Sequence, residues 1–379
     1  MNAFIAVILI LLAGISLYLA QRLYRGLCVL MPRLRLWMVL IVTSALTLVL
    51  VLGFMRSGLL LSKAAKHFLG VISAYGMGIW LYLLLFTAAA DVLGLLFFLF
   101  KAPFAWLRRF RGFAALGVLL LTAVTCVYGF VHAQQIKHVT YEVPLINKTD
   151  ISDINMVLIS DLHLGAVGSE SRLERIVEEI NALQPDVVCI AGDFFATDFE
   201  AIRDPQAALQ TLQQLKAIHG VYVCPGNHDA GKTVAQMTDF WARANIRLLA
   251  DEHTIIDGRL VLAGRLDAFP IGGFGNQSRQ PWKEPFSDEA LPVVVMDHNP
   301  ANVHNYGSEV DLLLCGHTHR GQVFPANLIT DSMYAVDHGY DPGDSQRPHV
   351  IVTSGVGTWG MPMRVGTDCE IVSIRFSPM

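Results

Sequence analysis

Before Gln134 the chain carries four apolar stretches, at about residues 3–19, 36–55, 68–100 and 113–133. Each is long enough, or nearly so, to cross roughly 30 Å of hydrocarbon as a helix. A hydrophobic share of 53% over the 379 residues agrees with a membrane part. The third stretch exceeds the length of one span, which predicts tilt, projection beyond the bilayer or a bend near Asp91. Asp91 itself reads as an interfacial carboxylate near a helix end; the alternative is a functional acid inside the membrane. No basic region precedes the first stretch and no small-x-small site follows within residues 21–26, so an uncleaved helix fits better than a signal peptide.

Charge divides the chain at the same place. Residues 1–135 hold 11 Lys/Arg and one acid, Asp91, whereas residues 136–379 hold 17 bases and 31 acids, for net balances of +10 and −14. The expected organisation is therefore a transmembrane region of about four helices over 1–135 and a second domain over 136–379. An acidic domain is a poor nucleic-acid binder, so no nucleic-acid partner is expected, and it suits cations better. The loops predict orientation: Arg22, Arg25, Arg33 and Arg35 fill the first, Lys101, Arg108, Arg109 and Arg111 the third, and only Arg56, Lys63 and Lys66 the second. The two richer loops should face the cytoplasm, and an even number of spans then places the large domain on the extracytoplasmic side. The six cysteines show no CxxC spacing. Cys189, Cys224 and Cys315 each end an apolar run and read as small buried hydrophobes.

From His138 the texture becomes that of a layered α/β domain, with short β-type runs separated by Gly, Asp, Asn and His. Strands are predicted over 139–145, 156–160, 187–191, 221–224, 293–297, 310–315, 350–354 and 370–374. Helices are predicted over 171–183, where Leu173, Ile176, Val177, Ile180 and Leu183 mark one face, and over 205–218. Asp257-Gly258 supplies the positive-φ pair of a tight hairpin turn within 254–263.

Polar groups fall at the ends of these strands. Asp161-Leu162-His163 follows one, Gly192-Asp193 the next, Gly226-Asn227-His228-Asp229 the third, Asp297-His298-Asn299 another, and Gly316-His317-Thr318-His319 the last. Loops beyond the carboxyl ends of strands in an open α/β sheet share one crevice, so such groups converge. Singly these motifs are weak; five in this order are not.

The order resembles the calcineurin-like metallophosphoesterase family, whose signature runs DxH, GD, GNH, H and GHxH, and the resemblance spans roughly residues 156–319. It implies a domain of two packed mixed β-sheets flanked by helices. It implies that Asp161, His163 and His319 bind one metal, that Asn227, His298 and His317 bind a second, and that Asp193 bridges them. The cofactors implied are two divalent or trivalent ions, with mixed N/O ligands suiting manganese, iron or zinc. Two such cations neutralise phosphate charge and ionise a bridging water for in-line attack. His228 matches the family's general acid.

The chain also departs from part of the family. Protein phosphatases carry GDxVDRG and GNHE, whereas residues 192–198 read Gly-Asp-Phe-Phe-Ala-Thr-Asp and residues 226–229 Gly-Asn-His-Asp. The expected aspartate and arginine are missing, so a phosphodiester or pyrophosphate, including one carried by a lipid, is the expected substrate. The acid partner of His228 stays open between Asp198 and Asp229, and Asp229 reads equally as a cap of the helix over about 232–243. Residues 353–364 look like the closing loop of membrane-associated or exported bacterial members; there Arg364 reads equally as a group that holds a phosphate oxygen and as part of a Gly-rich turn needed only for backbone geometry, and Trp359 is a candidate to line the cleft. His253, His304, His338 and His349 lie outside the ordered motif and read as surface or core residues. The competing function is a membrane transport or sensor protein with a non-catalytic metal-binding domain, for which a missing ligand would be expected; none is missing.

Overall fold

A computed structural model of the chain describes residues 2–56, 59–145, 150–282 and 291–378. The chain divides into two compact units, Met1–Phe130 and Val131–Met379.

The first unit holds α1 (Asn2–Leu30), α2 (Leu36–Met55), α3 (Lys63–Leu99) and most of α4 (Phe104–His132). All four are long and apolar enough to cross a membrane. Most of their large apolar side chains, such as Ile10, Ile41, Phe68 and Leu120, are exposed, as lipid-facing positions require. Two expectations change in detail. Arg22 and Arg25, read as loop residues, ride on the last turns of α1, and Arg108, Arg109 and Arg111 on the first turns of α4. α3 does not break near Asp91; at 37 residues it is about 55 Å long. Asp91 is tied to α1, accepting a hydrogen bond from Tyr18 Oη at 2.7 Å and pairing with Arg22 Nε at 2.8 Å.

The second unit is a two-sheet α/β domain. The first sheet has the order β1-β12-β2-β3-β4-β5, from Ile136–Leu145, Cys369–Pro378, Asn155–Ile159, Val187–Ala191, Val221–Cys224 and Ile246–Leu248. Its pairs are parallel except β12 with β2. The second has the order β10-β11-β9-β8-β7-β6, from Gly339–Asp341, His349–Val352, Leu312–Cys315, Val293–Met296, Leu260–Gly264 and Glu252–Ile256. Here β11, β9, β8 and β7 run parallel, with an antiparallel strand at each edge. The β6–β7 turn has φ +52° at Asp257 and +68° at Gly258, as the Asp-Gly pair predicts.

Successive strand residues point to opposite faces, and this alternation separates three apolar clusters. Met156, Leu158, Cys189 and Cys224 of the first sheet meet Leu262, Val294, Met296, Leu312 and Leu314 of the second in the layer between them. Val157, Ile159, Val188 and Ile190 face the other way, onto α5 (Ser169–Ala182), α6 (Pro205–Leu212) and α7 (Val234–Arg243). Val261, Val295 and Leu313 cover the far face of the second sheet, against Val303 and Tyr306. Fully burying each such side chain contributes about 1.5–3 kcal/mol. α6 stops six residues short of the predicted end, and a further helix, α8 (Ala326–Met333), was not expected.

Candidate metal centre

The polar groups stand at the carboxyl ends of parallel strands in both sheets. β2 delivers Asp161 and His163, β3 Asp193, and β4 Asn227 and His228; β8 delivers His298, and β9 His317 and His319. Five of these eight, Asp161, His163, Asp193, His317 and His319, have φ between +48° and +72°. Non-glycine residues rarely adopt this region, and where several do so side by side the surroundings must hold them there. The turns also need bare glycines. A Cβ on Gly226 would stand 2.2 Å from Asp193 Oδ1, and one on Gly316 would stand 1.9 Å from Ser160 Oγ.

Two donor clusters result, Asp161-His163-His319 and Asp193-His298-His317, all buried but His317, which is half-buried. In the first, His163 Nε2 lies 3.0 Å from His319 Nε2, which lies 3.2 Å from Asp161 Oδ1. In the second, His298 Nε2 lies 3.3 Å from both Asp193 Oδ2 and His317 Nδ1. Asp193 Oδ2 is also 3.8 Å from His163 Nε2, so this carboxylate touches both clusters. The other atoms of these groups are spent on orientation. Asp161 Oδ2 accepts from Ser160 Oγ at 2.6 Å and from the His317 N–H at 3.0 Å, Asp193 Oδ1 accepts from the His228 N–H at 2.8 Å, and His298 Nδ1 donates to the Ala191 carbonyl at 2.7 Å.

What remains fits cations. Asp161 Oδ1 and Asn227 Oδ1 are buried without a hydrogen-bond partner, a costly state for polar atoms unless something else satisfies them. Burial pushes His163 down to about 3 and His317 to about 4, and lowers His319 well below the ordinary range, leaving neutral imidazoles with lone pairs to donate. Burial raises Asp161 to about 6. Burial would also raise Asp193, but His298 and the neighbouring imidazoles outweigh it and hold that carboxyl ionised.

His228 is half-buried, its ring 5.2 Å from that of His163 and 6.3 Å from that of Trp359. Burial lowers its pKa, with Asp193 opposing. Neither aspartate considered from the sequence partners it. Asp229 is fully buried and its carboxylate accepts the N–H groups of Phe194, Phe195 and Gly226 at 3.1, 2.7 and 2.9 Å. It therefore knits the β3 and β4 loops together and caps no helix. Asp198 accepts from the Glu200 N–H instead. Nδ1 of His228 meets the hydroxyl of Thr197, a residue the sequence reading passed over.

Arg364 stands behind His319. It is fully buried, and its guanidinium donates to the carbonyls of His319, Ser354 and Gly357 at 2.8, 2.7 and 2.7 Å. Its Nη1 and Nη2 thus face backbone behind His319, while Nε is buried without a hydrogen-bond partner. A second unexpected residue is Asp267, beyond the end of β7. It is buried, its Oδ2 lacks a hydrogen-bond partner, and it interacts electrostatically with His298 and His228. Gly264-Arg265-Leu266-Asp267 repeats the strand-then-acid rhythm and was the signal to find it.

Comparison with known proteins agrees with this geometry. The calcineurin-like phosphoesterase family matches residues 154–321. A zebrafish (Danio rerio) transmembrane protein with metallophosphoesterase domain is 30% identical over 396 residues, covering 96% of this chain and 86% of the relative. The chain belongs to the calcineurin-like phosphoesterase family. An uncharacterized metallophosphoesterase of Helicobacter pylori is 30% identical over 247 residues, 62% of this chain and 63% of that protein. The chain thus matches less than two thirds of that relative's length. One from Aquifex aeolicus is 28% identical over 236 residues, 59% of this chain and 85% of that protein. Family membership and the four apolar helices make this a membrane protein with a metallophosphoesterase domain.

Proposed function

We propose that this chain is a membrane-anchored, dinuclear-metal phosphoesterase that hydrolyses a phosphodiester or pyrophosphate, with its catalytic domain on the extracytoplasmic side. The observation that carries the reading is the pair of donor clusters joined through Asp193. Asp161, His163 and His319 would hold one cation, Asn227, His298 and His317 the other, and Asp193 would bridge. Two bound cations supply neutralisation of phosphate charge and an ionised water at neutral pH.

The remaining chemistry belongs to the chain's own residues. His228 Nε2, freed by the Thr197 contact at Nδ1, is the group that hands a proton to the departing oxygen. Arg364 braces the His319 backbone and ring from behind. Trp359, half-exposed beside His228, walls the cleft. The extracytoplasmic placement rests on the eight bases flanking the first and third helix connections against three at the second.

The test is turnover by the full chain in nanodiscs, loaded with manganese, of bis(p-nitrophenyl) phosphate and p-nitrophenyl phosphate. Asp193→Asn is the control. Metal-dependent turnover that prefers the diester and falls at least about a thousandfold in the control is expected. Two bound metals with no turnover of either ester would turn the reading to the sensor alternative.

A further inference from the structure

Among the described residues from Val131 onward, ten large apolar side chains are exposed, and half of them gather in one place. Five, Phe324, Leu328, Ile329, Met333 and Trp359, lie on two segments that border the metal centre. α8 packs against the turn His319–Gly321 and buries none of its own residues, with Leu328 58%, Ile329 57% and Met333 68% exposed. Tyr334, just past α8, has its ring 6.3 Å from that of His317. Trp359 is held in its exposed place by the Gln322 side chain, which accepts its N–H at 2.7 Å and donates to its carbonyl at 2.9 Å. A built apolar rim at the mouth of a polar site is a candidate contact surface.

The route by which the chain enters the domain points to that partner. His132, the last residue of α4, meets Asp368 at 2.9 Å. The Ala133 carbonyl accepts from Arg172 at 2.6 Å and from the Cys369 thiol at 3.5 Å, and the same thiol reaches the Gly357 carbonyl at 3.4 Å, two residues before Trp359. Phe324 joins this strip through its N–H, 2.8 Å from the Val365 carbonyl. Residues 357–368 therefore run from the rim to the contacts made by His132 and Ala133. Residues 133–135 alone separate α4 from β1, at most about 10 Å of chain.

We propose that this rim seats in the headgroup region of the bilayer, so that the metal centre meets a phosphoester carried by a lipid. The proposal rests on the phosphoesterase reading above and narrows its substrate class. Exposed Leu, Ile, Met and Trp side chains on one short helix and one loop are what an interfacial contact uses. Water adds to phosphorus, the bond to the leaving oxygen breaks, that oxygen takes a proton, and the lipid keeps its phosphate.

The experiment compares two diesters with the same leaving group. Full-length protein in phosphatidylcholine nanodiscs, loaded with manganese, is given phosphatidyl-p-nitrophenol in the same bilayer or bis(p-nitrophenyl) phosphate in water. The variant combines Leu328→Gln, Ile329→Gln and Met333→Gln, all at exposed positions. The wild type should release nitrophenol from both, and the variant should lose at least about tenfold on the lipid diester while staying within about twofold on the soluble one. Equal losses on both diesters, or a wild type that cleaves only the soluble one, overturn the lipid-facing rim and leave the phosphoesterase reading standing. No release from either diester by the metal-loaded wild type overturns both.

Discussion

The hydroxyl of Thr197 closes on Nδ1 of His228, from a backbone held at φ +105°. A β-branched residue in that region is an outlier that persists only where neighbours over-determine it. Here the Ala196 N–H is fixed to the Leu164 carbonyl at 3.0 Å, and the Phe199 N–H to Thr233 Oγ1 at 3.1 Å. The contact engages Nδ1 and leaves Nε2 as the ring nitrogen that Thr197 does not hold.

Thr197→Val keeps the shape and removes that hydroxyl. Turnover of a diester with an alkyl leaving group, which needs a proton, should fall about a hundredfold. Turnover of a nitrophenyl diester, whose leaving oxygen is stable as an anion, should fall less than about tenfold, and Thr197→Ser should recover most of the alkyl activity. Equal losses across the two leaving groups would assign Thr197 to folding alone.

Arg364 serves four backbone carbonyls, those of His319, Ser354, Gly355 and Gly357, and Arg364→Met would strand them in a dry setting. The expected cost is about 3 kcal/mol or more, seen as a lower unfolding temperature of the metal-free protein. Arg364→Lys should recover only part of it, because an ammonium cannot reproduce the planar fork. An unchanged unfolding temperature with a raised KM would restore the phosphate-clamp role.

Metal uptake should release protons. Burial alone would lower His298, but Asp193 and Asp161 more than reverse this and hold its pKa well above the ordinary value in the metal-free site. The imidazolium then has no lone pair on Nε2, so at neutral pH the entering cation displaces about one proton. Affinity should weaken as pH falls, since the protonated form gains ground below the raised pKa. Calorimetry of manganese binding at pH 7 in buffers of different ionisation enthalpy reads this directly; heats independent of buffer would refute it.

Much of the site was legible because each donor directly follows a short apolar run, and β3 and β4 begin and end where that pattern puts them. Asp229 was misread because nothing local distinguishes a helix cap from a carboxylate that accepts N–H groups of Phe194 and Phe195, more than thirty residues away. Arg364 was left between two roles for the same reason: a Gly-rich loop tells where a side chain begins, not whether it turns inward. α8 went unseen because Ala326–Met333, at eight residues, is shorter than the stretch over which a helical period can be read. β5 and β10, at three residues each, are too short to show a period.

The first sheet has a further property in its order of assembly. β12 follows every other strand in the chain, yet lies between β1 and β2 and hydrogen-bonds to both. While the chain is still emerging from the ribosome, β2 therefore has one open edge, beside the loop that carries Asp161 and His163. Closure of the sheet edge beside Asp161 and His163 therefore waits on residues 369–378, the latest in sequence of the described strands.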